Sequence, residues 1–226
     1  LYLPAISAFY TRQLAKYLSE EDTMRCPEGF EKGLQGLDFL KEDSYYYYPY
    51  GLYSAGHAQV DLDKTDIHEG MIQHRDRSKT IILGDSGGFQ IAKGVIKLDW
   101  KDAINPDSKA REELCEKMLR WLEYTADWSM TLDFPAFAAI PPYNKKTGLT
   151  DVQDTIDMSL YNLDYFVRNR VPGATKFLNV LSGADEESSQ QWFDLVTPFS
   201  DPKFVKENDG DADRTLEGYA MAGVNI

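Results

Sequence analysis

Six short apolar runs constrain this chain more than any other feature, and four of them break into an acid or a small residue. The clearest is Thr80-Ile81-Ile82-Leu83-Gly84-Asp85-Ser86-Gly87-Gly88-Phe89-Gln90. Its β-branched opening reads as a buried strand. Two adjacent glycines then let backbone N–H groups come close to a ligand, because no Cβ intervenes. An acid at the mouth of a buried strand costs stability unless it is paired or used. A strand end offering a carboxylate, a hydroxyl, bare backbone and a ring has the makings of a small-molecule site.

The other runs follow in order. Residues 1–7 form a first strand, with Pro4 near an edge or strand end. Residues 9–18 have helical spacing. The run Tyr45 to Tyr53 reads as a second strand and its loop, with an aromatic platform for bases as the alternative. The charged stretch 61–78, with His68 and His74, reads as a surface segment. Asn105-Pro106-Asp107 opens a helix whose stripe is Ala110, Leu114, Met118, Leu122 and Thr125. A strand over 128–135 follows and carries Asp133, which repeats the grammar of Asp85. Thr150 and Asp151 start another helix, and 177–181 is a strand closing on Ser182-Gly183. A helix over 185–196 has acids in its first turn, which suits the dipole. The last strand, 216–221, opens on Ala222-Gly223.

Strands alternating with helices predict an α/β fold with a parallel sheet. Polar and small residues at the strand ends favour a (β/α)8 TIM-type barrel, whose site lies at the carboxyl ends of the strands. Six strands fall short of eight, so residues 1–226 read as a single incomplete barrel domain, truncated after about six strands. The absent initiator Met and an ending inside a strand-and-loop pattern give the same expectation of a fragment. A doubly wound sheet is the structural alternative.

Composition limits the function. A net charge of −13 argues against holding nucleic acid by bulk electrostatics, though local basic strips remain compatible with it. No apolar run approaches the ~20 residues of a membrane span, and no signal peptide is visible. Cys26 and Cys115 read as reduced thiols of a cytoplasmic protein rather than a metal site. Gly84-Asp85-Ser86-Gly87-Gly88 also spells the nucleophile loop of trypsin-like proteases. That chemistry needs a His and a second Asp to activate the Ser, and none of His57, His68 or His74 has the family setting.

Taken together, these segments resemble the tRNA-guanine transglycosylases (queuine tRNA-ribosyltransferases), including the phage-type branch that places 7-deazaguanines in DNA. Leu83 to Gln90 is similar to the family's Asp-Ser-Gly-Gly-Phe/Tyr-Gln signature. Met130-Thr131-Leu132-Asp133 resembles its fourth strand, Leu178 to Gly183 a strand closing on Gln-Gly, and Gly218 to Gly223 a Gly-Tyr/Phe-Ala-Val-Gly-Gly segment. The resemblance implies exchange of guanine for a 7-deazaguanine base in DNA or tRNA through a covalent glycosyl-enzyme intermediate. The target base must leave its stack.

The resemblance implies roles residue by residue. Asp85 would be the catalytic acid/base, and Asp133 would accept from the guanine edge, since an ionised carboxylate only accepts. Phe89 would stack on the base, Ser86 would sit at the pocket floor, and Ser182, Gly183 and Gly223 would meet the base. On the residues alone, Asp85 could instead form a turn, Asp133 cap a strand end and Phe89 fill the core. Ser182, Phe134-Pro135 and Ala222 depart from the tRNA-type pattern and lean the reading towards DNA. The family's nucleophile and its structural zinc ligands are expected only in a later segment. This chain is therefore expected to hold no metal or cofactor and to be inactive alone. The implied partners are DNA or tRNA, a 7-deazaguanine and a homo- or heterodimeric mate, with no membrane. A barrel subunit that binds a base or partner without exchange is the alternative function, and an unrelated barrel enzyme a third.

Overall fold

The computed structural model describes residues 1–14, 25–56, 58, 60–208 and 210–222. Its strands are β1 (Ala5–Ile6), β2 (Tyr50–Ser54), β3 (Ile81–Asp85), β4 (Trp128–Met130), β5 (Lys176–Leu181) and β6 (Gly218–Met221). Every pairing is parallel, and the strands lie in the sheet in chain order. A doubly wound sheet reverses its order at a switch point, and this one does not. The order is compatible with a partial (β/α) barrel.

The helices are α1 (Ala8–Leu14), α2 (Thr65–His68), α3 (Gly70–Gln73), α4 (Gly88–Ala92), α5 (Trp100–Ala103), α6 (Lys109–Thr125), α7 (Asn144–Thr147), α8 (Val152–Asn169), α9 (Glu186–Val196) and α10 (Pro202–Glu207). Residues 15–18 of the expected first helix lie outside the described residues. The long helices begin where a side chain takes up orphan N–H groups. Asp151 accepts from Gln153 N at 2.9 Å, and Asp185 and Ser188 form a reciprocal capping box. The start expected at Asn105 shifts to Lys109. Asn105 accepts from Asp107 N at 3.1 Å, closing a turn of its own, while Ser108 Oγ accepts from Arg111 N at 3.1 Å and caps α6.

Period-two alternation divides the sheet into two faces. Tyr53, Ile82, Gly84, Ser129 and Phe177 face the helices. The rings of Tyr53 and Trp121 of α6 lie 5.1 Å apart, and those of Phe177 and Phe166 of α8 lie 5.3 Å apart. At Gly84 a Cβ would stand 2.8 Å from Ala126 Cβ, so only glycine lets α6 come this close. The opposite face carries Leu52, Leu83, Trp128, Met130 and Leu178, all half-buried. The core therefore lies between sheet and helices.

The stretch 61–78 corrects an expectation. It holds α2 and α3, and it buries Met71 and Ile72 together with two charged residues, Glu69 and Arg75. Tyr53 donates its hydroxyl to Glu69. Arg75 donates to Asp127 Oδ2 at 2.7 Å, and the same oxygen accepts Ile82 N at 2.7 Å. This device recurs two strands later. Buried Arg170 donates to Glu217 at 2.6 and 2.9 Å, and Glu217 accepts Phe177 N at 2.7 Å. In both places a buried arginine precedes one strand by six residues, and its acid immediately precedes the next strand. The acid takes up the N–H of the earlier strand's second residue. No helix among the described residues is long and apolar enough to cross a membrane.

Candidate functional site

The carboxyl ends of β3, β4, β5 and β6 open into a cavity of about 440 Å³ on the face opposite the helices. A volume of this size is typical of a small-molecule site. Asp85, Phe89, Asp133, Ser182 and Gly183 line it, with Phe137 and Tyr143 closing one side.

Asp85 ends β3, and both of its carboxylate oxygens have donors. Ser54, its register partner at the end of β2, donates to Oδ2 at 2.7 Å, and Gly87 N donates to Oδ1 at 3.1 Å. The turn-forming role and the cavity position therefore coexist in one residue. Gly87 makes the turn possible because its φ is +83°, in the left-handed region that favours glycine.

Asp133 is half-buried on the same wall. Desolvation, then the neighbouring charge of Asp85, push its pKa up to about 7, and only its own backbone N–H opposes this. The two acids thus occupy unlike surroundings: one is held by hydrogen bonds, the other is partly desolvated beside a like charge.

Phe89 is 48% exposed, although it follows a buried strand directly. Its ring centre lies 5.4 Å from that of Phe137, which lies 4.9 Å from Tyr143. These three rings form an arc at the cavity mouth. A core role for Phe89 does not suit this exposure.

Ser86 is placed elsewhere. It is 2% exposed and donates to Thr131 O at 3.1 Å, away from the cavity lining. Alternation explains this, since Asp85 points inward and its neighbour must point outward. Ser182 is buried and lines the cavity. Gly183 lines it too, and a Cβ there would lie 2.6 Å from Ser189 Cα, so glycine also lets α9 pack. Gly223 lies outside the described residues.

Ser54, Phe137 and Tyr143 join the site although the sequence does not single them out. Ser54 carried a signal, because it stands at a strand end just before Ala55-Gly56, the pattern already seen at the other strands. Among the described residues no group of three His, Cys, Asp or Glu could hold a metal ion. Cys26 and Cys115 are free thiols, and burial pushes the thiol of Cys115 well up.

Gly88 sets how closely the two acid-bearing loops approach. A Cβ on it would stand 2.4 Å from Asp133 O and 2.8 Å from Asp133 Oδ1. Gly88→Ala is expected to cost about 1–3 kcal/mol, the usual range for overpacking. Thermal denaturation checks this, and an unchanged melting temperature would mean that the loops part freely.

No protein-family model, curated protein or solved structure matches the chain.

Proposed function

We propose that the cavity binds a guanine-type base, and that the chain belongs to a (β/α)8-type transglycosylase exchanging guanine for a 7-deazaguanine in DNA or tRNA. The observation that supports this best is the placement of Asp133, a half-buried carboxylate raised to about 7, on the wall of an apolar cavity that has the open ring of Phe89 at its mouth. Guanine presents two adjacent N–H donors on one edge, and an ionised carboxylate accepts both. Their hydrogen bonds would restore what burial removes from Asp133.

In the exchange, the bond from C1′ to the guanine breaks and one from C1′ to the incoming base forms. The leaving base gains a proton and the incoming base loses one. Asp85 is the proton carrier in this reading, with Ser54 and Gly87 N fixing its orientation. We assign the attacking group to none of the described residues.

Calorimetric titration with guanine, 7-deazaguanine and adenine tests the base reading. Adenine lacks the paired donors and is expected to bind at least tenfold more weakly. Guanine affinity is expected to fall about tenfold between pH 8 and pH 6, because protonation near pH 7 takes away the acceptor. Equal affinities for guanine and adenine would overturn the proposal.

A further inference from the structure

The chain has 37 acidic residues, yet no Asp or Glu lies between Asp85 and Asp99, or between Asp133 and Asp151. These two acid-free stretches meet at the cavity mouth. Lys93, just past α4, holds its Nζ 4.2 Å from the ring centre of Phe89 and 6.0 Å from that of Tyr143. Lys146 of α7 donates to Lys93 O at 3.2 Å, which ties both segments to one rim. Lys145 beside it is exposed. Among the described residues, none of these three lysines forms an ion pair with a carboxylate.

A chain of net charge −13 repels polyanions as a whole. An unpaired cationic rim that borders an aromatic arc runs against that background. Lysine binds phosphate as a point charge, and basic residues beside exposed rings suit a strand whose bases stack while its backbone is neutralised. An acidic protein would satisfy the lysines but leave the rings and the cavity unexplained.

We infer that Lys93, Lys145 and Lys146 hold the phosphates flanking the base in the cavity, so that the ligand arrives as a single-stranded or locally opened nucleic acid. The inference rests on the base reading above and names the residues that bind the rest of that substrate. Neutralising three phosphates on a single strand gives a slope of log affinity against log salt of about −2. Affinity would then fall roughly 15- to 20-fold between about 50 and about 200 mM salt.

The probe is a short fluorescent single strand, DNA or RNA, with one central guanine, and its counterpart with an abasic site there. Fluorescence anisotropy is read against salt for the parent chain, K145A/K146A and K93A/K145A/K146A, with melting curves confirming that each folds. Each lysine removed is expected to flatten the slope by about 0.7, leaving it near zero in the triple variant. Because Lys145 and Lys146 are exposed, the double variant keeps the test valid if loss of Lys93 disturbs the Phe89 ring. An unchanged slope in the double variant, or polyglutamate competing as well as the oligonucleotide, would overturn the inference. Salt-dependent binding that depends on the lysines but ignores guanine against abasic would instead sink the base reading and keep the phosphate rim.

Discussion

Replacing Asp133 by Asn is expected to make the protein more stable and less able to bind guanine. Burial and Asp85 raise the pKa of Asp133 from its ordinary 3.8 to about 7. The folded state therefore holds this proton more tightly than the unfolded chain does. Above pH 7 the folded protein carries the full cost of an ionised carboxylate in an unfavourable place. Between pH 7 and pH 4 the folded state takes up the proton first, so stability rises as pH falls. Below about pH 4 both states are protonated and the cost vanishes. At about 1.4 kcal/mol per unit the rise would cost about 4.5 kcal/mol, and the water that still reaches this half-buried carboxyl brings the cost at pH 8.5 down to the order of 2–4 kcal/mol. Asp133→Asn removes it, and for a chain of this size that shifts the melting temperature upward by roughly 5–15 °C. The gain is expected at pH 8.5 and absent near pH 4. Guanine binding moves the other way, by about a hundredfold, because the amide offers one acceptor and turns donors towards donors. A variant that is less stable than the parent at pH 8.5 would show that Asp133 supports the fold rather than a ligand.

Such opposed effects mark a residue kept for binding at the expense of the fold. They also explain why this part of the site is legible in the sequence. A polar or small group at the end of an apolar run stands out from strand grammar alone, and Asp85 and Asp133 are the clearest cases, although β4 itself ends at Met130, three residues before Asp133. Ser182 and Gly183 stand out for the same reason, and the structure lines the cavity with all four. Ser86 shows where the grammar misleads. It shares the motif with Asp85, but a period of two sends neighbouring side chains to opposite faces. The aromatic arc is hidden for a different reason. Phe137 and Tyr143 lie in the irregular connection after β4, where a short 3-10 turn (Ala136–Ala139) and α7 leave no periodic signal. The buried ion pairs are hidden as well. Arg75 lies in a stretch whose charge density reads as surface, and only a tertiary contact supplies Asp127 as its partner.

Those ion pairs carry the largest expected loss of stability. Arg170 is 1% exposed and donates to both oxygens of Glu217, to Thr215 O at 3.0 Å and to Thr175 O at 2.8 Å. Arg170→Met removes every one of these donors while keeping much of the apolar stem. The carbonyls and the carboxylate it leaves behind have lost their hydrogen bonds in a mostly dry place. Breaking a buried pair in this way costs about 3–5 kcal/mol, more than an intact pair contributes relative to an apolar replacement. The melting temperature is expected to fall by roughly 6–20 °C. Arg75→Met should behave alike, because Arg75 holds Asp127 against β3 in the same arrangement. Adding Glu217→Gln to Arg170→Met removes the uncompensated charge and is expected to recover part of the loss. That recovery would show in a double-mutant cycle as a coupling of more than about 1 kcal/mol. Each acid also takes up the second N–H of the preceding strand, so loss of one arginine should loosen the amino-terminal rim at its own strand. Hydrogen exchange at Phe177 N is expected to quicken in Arg170→Met more than at Ile82 N, which the other clamp holds. A loss under 1 kcal/mol, or equal exchange at the two amides, would show that the strands hold their register without these clamps.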